Sequence, residues 1–333
     1  MTMQVGSKSP KYQYCCVDQS ALAHWLSTKI APYVDERLPP CMSPDQVTYL
    51  AALFAVTMTI GVYLTPSGWT TFMLPVWGGM SWMYCILDHV DGVRARNLGR
   101  SSAWGEFLDH GIDSGVVSLV VVSILMCGAA KEVNAITAVF FLCTVGLATV
   151  MVWLGQYTSG RLSLPVLGPV EGVFVASMYM LACMFSTLNR GLSFEVLPGL
   201  LVMDVVLIVV STVILGAVAW RSIRAPRDMR FALPFLIGCL LMISTVASNV
   251  SSLFLVLWLS ALGTMHHAAV IIVAHLMQST ISPGYQVSVV IFPLIVFVFF
   301  WLSLPGADWL WVVPCCVAIS LIRVWVQARQ YLY

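Results

Sequence analysis

Between Asp88 and Asp113 the chain reads DHVDGVRARNLGRSSAWGEFLDHGID, and this stretch carries five of its fifteen acidic residues: Asp88, Asp91, Glu106, Asp109 and Asp113. Carboxylates in so apolar a chain are costly and need partners. Asp88, Asp91, Gly92 and Ala95 stand at i, i+3, i+4 and i+7, so a helix would set them on one face. Gly92 and Ala95 leave that face bare beside the carboxylates, where a nucleotide could approach the backbone. Glu106, Asp109, His110 and Asp113 repeat the spacing, which predicts two acidic helix faces joined by a short loop holding Asn97, Gly99, Arg100, Ser101 and Ser102. Oxygen ligands of this kind suit Mg²⁺, Mn²⁺ or Ca²⁺ and not zinc. Two ions sharing a carboxylate would clamp a pyrophosphate, and Arg96 could add a two-pronged phosphate contact. His110 stands where a base could take a hydroxyl proton, with Glu106 one turn earlier to orient its ring; Asp113 is the alternative base. A structural salt-bridge network with Arg94, Arg96 and Arg100 is the plainer reading, but five carboxylates outnumber three arginines.

These faces must be carried by membrane helices. The 333 residues are 59% hydrophobic and 9% charged, against roughly 25% charged in an ordinary soluble domain. Runs of about 20 apolar residues, enough to span a bilayer, fall near 47–64, 70–88, 108–130, 133–155, 166–188, 197–219, 231–248, 252–279, 285–304 and 308–328. The expected fold is an all-α, polytopic integral membrane bundle of about ten helices. With the N-terminus in the cytosol, all of the sixteen Lys and Arg residues except Lys131 and Arg190 fall on the cytosolic side, as the positive-inside rule asks. Arg221, Arg224, Arg227 and Arg230 read as one such cytosolic loop. Residues 1–46 hold no apolar core of signal-peptide type and are expected to stay cytosolic. Within them Leu22, Trp25, Leu26, Ile30 and Tyr33 are spaced for an amphipathic helix on the membrane surface. Residues 47–333 would form the membrane domain. A net charge of +1 offers no field to gather nucleic acid. The ten cysteines show neither a disulfide framework nor a zinc spacing.

The order Asp88, two residues, Asp91-Gly92, two residues, Ala95-Arg96, eight residues, Gly105, three residues, Asp109, three residues, Asp113 resembles the signature of the CDP-alcohol phosphotransferases at every defined position. Glu106 and Asp109-His110-Gly111 look like the eukaryotic choline/ethanolamine phosphotransferase branch. Lys11-Tyr12 with Val17-Asp18, Ser43-Pro44 with Val47-Thr48, and Val273-Ala274-His275-Leu276 are weaker likenesses to that branch. The resemblance implies that Asp88, Asp91 and Asp109 bind one metal and Asp109 with Asp113 a second, the ions being Mg²⁺ or Mn²⁺. It implies that Arg96 binds the CDP phosphates and that His110, assisted by Glu106, takes the proton. The reaction implied is attack by the hydroxyl of diacylglycerol on the β-phosphate of CDP-choline or CDP-ethanolamine, releasing CMP. The expected setting is the endoplasmic reticulum membrane, or the Golgi, with the site facing the cytosol among membrane lipid; the oligomeric state, a homodimer included, is left open.

One departure is Asp45, where the branch usually has asparagine near the nucleotide-alcohol; an extra carboxylate there could alter head-group choice. Glu171, in Gly168-Pro169-Val170-Glu171-Gly172, resembles a threonine-glutamate-glycine segment of the branch and is expected either at the cavity or as a polar partner for a neighbouring helix. His266, His267 and His275 read as buried polar contacts between helices, since one helix offers too few metal ligands. His89 should turn away from the Asp88 face. Asn249-Val250-Ser251 fits a glycosylation sequon. Two rival functions remain: a family enzyme using another alcohol, such as inositol, against which Glu106 and His110 argue, and a transporter, which would place acidic groups in both halves of the chain.

Overall fold

A computed structural model describes residues 16–66, 69–224, 226–248, 253–281, 283–301 and 312–333. Lys8, Lys11-Tyr12, the side chain of Arg227 and the sequon Asn249-Val250-Ser251 lie outside the described residues.

The described residues are helical almost throughout. A short strand, β1 (Cys16–Asp18), leads into a continuous helical segment made of α1 (Ala21–Trp25), a π turn at Leu26–Ile30 and α2 (Ala31–Asp35). The widened turn comes just before Pro32, which has no N–H to return to the preceding turn. Leu26 and Ala31 of this segment are buried, while Trp25 and Tyr33 are exposed. Then follow α3 (Pro44–Leu64), α4 (Thr70–Asn97), α5 (Ala103–Leu125) and α6 (Ala135–Ser159). After a strand, β2 (Leu162–Leu164), come α7 (Pro169–Ala182) and α8 (Ser186–Leu192), then a small hairpin of β3 (Glu195–Leu197) and β4 (Leu200–Leu201). The second half comprises α9 (Val202–Arg224), α10 (Pro226–Ser248), α11 (Leu253–Leu276), α12 (Pro283–Trp301) and α13 (Val312–Leu332). The Arg221–Arg230 run thus falls where α9 gives way to α10.

Among the described residues seven helices are long and apolar enough to cross a membrane, or eight if α7 and α8, bent by 113°, are counted as one broken span. The chain is an all-α integral membrane protein. The difference from ten expected runs lies in particular elements. Run 70–88 belongs to α4, a 28-residue helix whose last turns are polar and which contains Pro75. Run 285–304 extends beyond the described residues, and its described part offers the shorter apolar helix Val290–Trp301.

The centre of the bundle is α5, α6 and α11, whose apolar stretches are 72%, 67% and 67% buried, against 22% for α9 at the periphery. Helices α3 and α13 pack on α5, α4 packs on α3, and α7 packs on both α4 and α5. Helix α5 can approach α11 closely because Gly115 has no side chain; a Cβ there would press on the sulfur of Met265.

The turn that joins α4 to α5 is set by its sequence. Gly99 takes a left-handed φ of 63°, Arg100 N donates to Ala95 O at 2.9 Å and Gly99 N to Arg96 O at 3.1 Å. That is the glycine-ended cap in which two orphan carbonyls are met from beyond the helix. Ser102 then caps α5, its Oγ accepting from Gly105 N at 3.0 Å. Only five residues separate the helices, so the two acidic faces are forced to the same end of the bundle.

Candidate functional site

At that end lies a cavity of about 540 Å³, within the size range of small-molecule sites. Its walls come from the first turns of α3, the last turns of α4, the first half of α5 and the last half of α6. The paired strands β1 and β2 and the start of α7 complete it. Eleven of the twelve residues singled out in the sequence border it: Asp45, Asp88, Asp91, Gly92, Ala95, Arg96, Gly105, Glu106, Asp109, His110 and Asp113.

The carboxylates do not all stand alike. Asp88, Asp109 and Asp113 each present an oxygen within 4.8 Å of the others. Asp91 stands beside this group and is held from α3, its Oδ2 accepting the hydroxyl proton of Thr48 at 2.5 Å. Asp113 is held from α4, its Oδ1 accepting from the Tyr84 hydroxyl at 2.6 Å. Asp109 Oδ1 is buried and has no hydrogen-bond partner among the described residues. Three facing carboxylates repel one another unless a cation lies among them. An all-oxygen donor set with an unmet buried oxygen suits a hard divalent cation, so the residues present fit a metal of that kind.

Next to this cluster on α5 stand Glu106 and His110, both buried. His110 Nδ1 is 3.8 Å from Glu106 Oε1 and its Nε2 is 3.8 Å from Asp109 Oδ2. Helix α6 packs against the pair: the ring of Trp153 lies 4.8 Å from that of His110, and Gln156 Nε2 donates to Glu106 Oε1 at 2.7 Å. The arrangement offers a buried ring nitrogen beside a cation-binding cluster, in a cavity whose other wall is apolar: Val117, Val152, Leu162, Leu164, Val170 and Val173.

The remaining residues divide between cavity and scaffold. Arg96 and Arg100 border the cavity, and Arg96 reaches back over Gly92. Arg94 turns the other way and is buried, donating to Met42 O at 2.7 Å, Pro39 O at 2.6 Å and Asp35 Oδ1 at 2.7 Å. It ties α4 to the segment before α3. Asp45 accepts from the indole N–H of Trp104 at 3.1 Å. Glu171 is not among the lining residues: one oxygen accepts from Gly168 N at 2.8 Å, capping α7, and the other accepts the hydroxyl of Ser20. One oxygen thus closes the start of α7 and the other ties it to Ser20, the cap of α1, which is the polar helix-to-helix role also weighed for it. His89, expected to turn away, does border the cavity, with Nδ1 on the carbonyl of Cys85 at 2.8 Å. His266 meets Ser320 Oγ at 2.8 Å, joining α11 to α13.

Sequence reasoning missed Thr48, Tyr84, Trp153 and Gln156. Each lies on an apolar helix away from the motif or ahead of it; Thr48 entered only as part of the weak Val47-Thr48 likeness with no site role, and Gln156 left a signal as a bare amide at the edge of the apolar run 133–155.

Residues 41–215, just over half of the chain, match the family model described as CDP-alcohol phosphatidyltransferase. A cholinephosphotransferase 1 of Gallus gallus is 33% identical over 145 residues, covering 41% of this chain and 41% of the relative. A choline/ethanolaminephosphotransferase 1 of Arabidopsis thaliana is 28% identical over 183 residues, covering 51% and 44%. A phosphatidylinositol phosphate synthase of Cutibacterium acnes is 36% identical over 84 residues, covering 25% and 37%. The matched stretches span less than half the length of each relative. The metal-suited carboxylates, the signature spacing and the matched residues lead to one conclusion: the chain belongs to the CDP-alcohol phosphatidyltransferase family.

Proposed function

We propose that the chain transfers phosphocholine or phosphoethanolamine from the corresponding CDP-alcohol to the hydroxyl of diacylglycerol, making phosphatidylcholine or phosphatidylethanolamine and releasing CMP. The observation that carries this reading is the Glu106–His110 pair lying beside the Asp88, Asp109 and Asp113 cluster in one cavity. The lipid hydroxyl oxygen forms a bond to the β-phosphorus, and the bond from that phosphorus to the bridging oxygen breaks, with CMP taking the electron pair. The hydroxyl proton goes to His110 Nε2, the nitrogen on the side away from Glu106. Asp113 is the weaker candidate for base because its Oδ1 already accepts from Tyr84.

Asp88, Asp91, Asp109 and Asp113 would hold Mg²⁺, or Mn²⁺, as two ions whose charge offsets that of the pyrophosphate and the departing CMP. Arg96 adds a fork of donors for the phosphates, and Gly92, Ala95 and Gly105 leave room for the nucleotide. The apolar wall of Val117, Val152 and Val173 suits an acyl chain. Asp45, with one oxygen toward Trp104, is the residue through which head-group choice would be tuned. Residues 47–333 are read as the membrane-embedded catalytic domain and 1–46 as a cytosolic segment, in the endoplasmic reticulum or Golgi membrane with the cavity facing the cytosol.

The test is CMP release by the purified full chain, given diacylglycerol, Mg²⁺ and each CDP-alcohol in turn. Release with choline or ethanolamine nucleotides is expected, and Asp91→Ala and Asp109→Ala should abolish it. If no CDP-alcohol yields CMP, or if both variants keep the wild-type rate, the reading is wrong.

A further inference from the structure

We infer that Gln156 is a positioning residue for the proton-accepting pair, an inference that rests on the reading of Glu106 and His110 given above. Gln156 comes from the last turn of α6, 50 residues from Glu106 in sequence, and is 2% exposed. Its Nε2 donates at 2.7 Å to Glu106 Oε1, the same oxygen that faces His110 Nδ1 at 3.8 Å. The amide has one sensible orientation, since turning it over would set its carbonyl oxygen against a carboxylate oxygen, acceptor to acceptor.

That orientation has a cost. Gln156 Oε1 is buried and has no hydrogen-bond partner among the described residues, and a buried acceptor left unmet is unfavourable where a hydrocarbon side chain would not be. A glutamine serves this position through what its N–H group holds, not through its own satisfaction. One turn earlier on the same helix, Trp153 packs on the His110 ring at 4.8 Å and 31°. Residues i and i+3 of α6 therefore touch both members of the pair, one by a hydrogen bond to the carboxylate and one by ring contact with the imidazole. Without the amide, Glu106 Oε1 loses its hydrogen bond from Gln156, and the imidazole loses a carboxylate held at a set angle.

The test uses the purified full chain with CDP-choline or CDP-ethanolamine, diacylglycerol and Mg²⁺. Gln156→Met keeps the side-chain length and removes both polar atoms. The expected result is a kcat lower by about tenfold or more, the range found when a residue supporting an active group is removed, with KM for both substrates within about twofold of wild type. In a Glu106→Gln background the same change should cost nothing further, because Gln156 acts through that carboxylate. If the Met variant does not accumulate folded, Gln156→Asn, which draws the amide back by one methylene, is judged by the same criteria. An unchanged kcat, a rise in KM matching the fall in kcat, or losses that multiply with Glu106→Gln would each overturn the inference. An inactive wild type would instead overturn the reading beneath it.

Discussion

Tyr84→Phe removes one oxygen atom and nothing else, and it isolates how firmly the acidic cluster is held. Tyr84 is 5% exposed, and its hydroxyl donates at 2.6 Å to Asp113 Oδ1, one of the three carboxylates that converge within 4.8 Å. A hydrogen bond to a charged acceptor of this kind contributes roughly 1.5–3 kcal/mol. The ring of phenylalanine fills the same space, so no cavity opens and the packing contribution stays. If that energy serves to aim Asp113 at a cation, its loss should appear as a weaker demand on the metal, and about 1.4 kcal/mol corresponds to a factor of ten. The Mg²⁺ concentration that gives half-maximal CMP release should then rise roughly ten- to a hundredfold, which is also the range seen when partners of metal ligands are removed. Saturating Mg²⁺ should restore most of the rate. The assay is CMP release across a Mg²⁺ series, with thermal unfolding of the same preparations measured in parallel. A lower unfolding temperature with an unchanged Mg²⁺ requirement would refute the reasoning, since the hydrogen bond would then be holding α4 to α5 and not serving a metal site.

Three further outcomes are expected. His110→Ala should lower kcat by roughly 10²–10⁴ while the dissociation constant for the CDP-alcohol, measured by calorimetry, changes little, because a base acts only on the way to the transition state. Arg96→Lys keeps the charge and loses the planar fork, so KM for the CDP-alcohol should rise about tenfold, with kcat less affected; steady-state kinetics at saturating lipid reads this directly. Arg94→Met should leave the activity per folded molecule intact but destabilise the chain by about 3–5 kcal/mol, since Asp35 would lose its buried partner and two carbonyls their donor. A shift of the denaturation midpoint in detergent checks it.

Arg94 and Arg96 show where sequence reading stops. Both lie in the motif and both are cationic, so composition treats them alike. On a helix two residues stand about 200° apart, and that turn sends Arg96 to the cavity and Arg94 to Asp35, Pro39 and Met42. Helical phase was available in the sequence; the identity of whatever faces the far side was not. The acidic residues were legible for the opposite reason. Asp88, Asp91, Asp109 and Asp113 belong to two helices joined by a five-residue turn, so local spacing alone almost determines that their faces meet.

The partners that hold those carboxylates come from farther away, and this is why they went unread. Thr48 reaches Asp91 across 43 residues, Tyr84 reaches Asp113 across 29, and Gln156 reaches Glu106 across 50. A threonine or tyrosine in an apolar run carries no sign of which helix it will face, because helix packing and not spacing decides it. The same limit governs the spans. Run 166–188 is apolar enough to cross a bilayer as one helix, yet α7 and α8 meet at 113°, with no proline or glycine at residues 183–185 to announce the break. Hydropathy measures how much apolar length a segment has, and a straight helix and a bent one of equal length score the same. Glu171 illustrates the remaining ambiguity: a lone carboxylate beside a predicted cavity has the same sequence signature whether it meets a ligand or caps a helix. Here two donors already on hand, Gly168 N and the Ser20 hydroxyl, take both its oxygens. A carboxylate so engaged can hold the wall of a cavity in place, and a carboxylate with an oxygen that none of the described residues meets, as in Asp109, is the one with capacity left to bind.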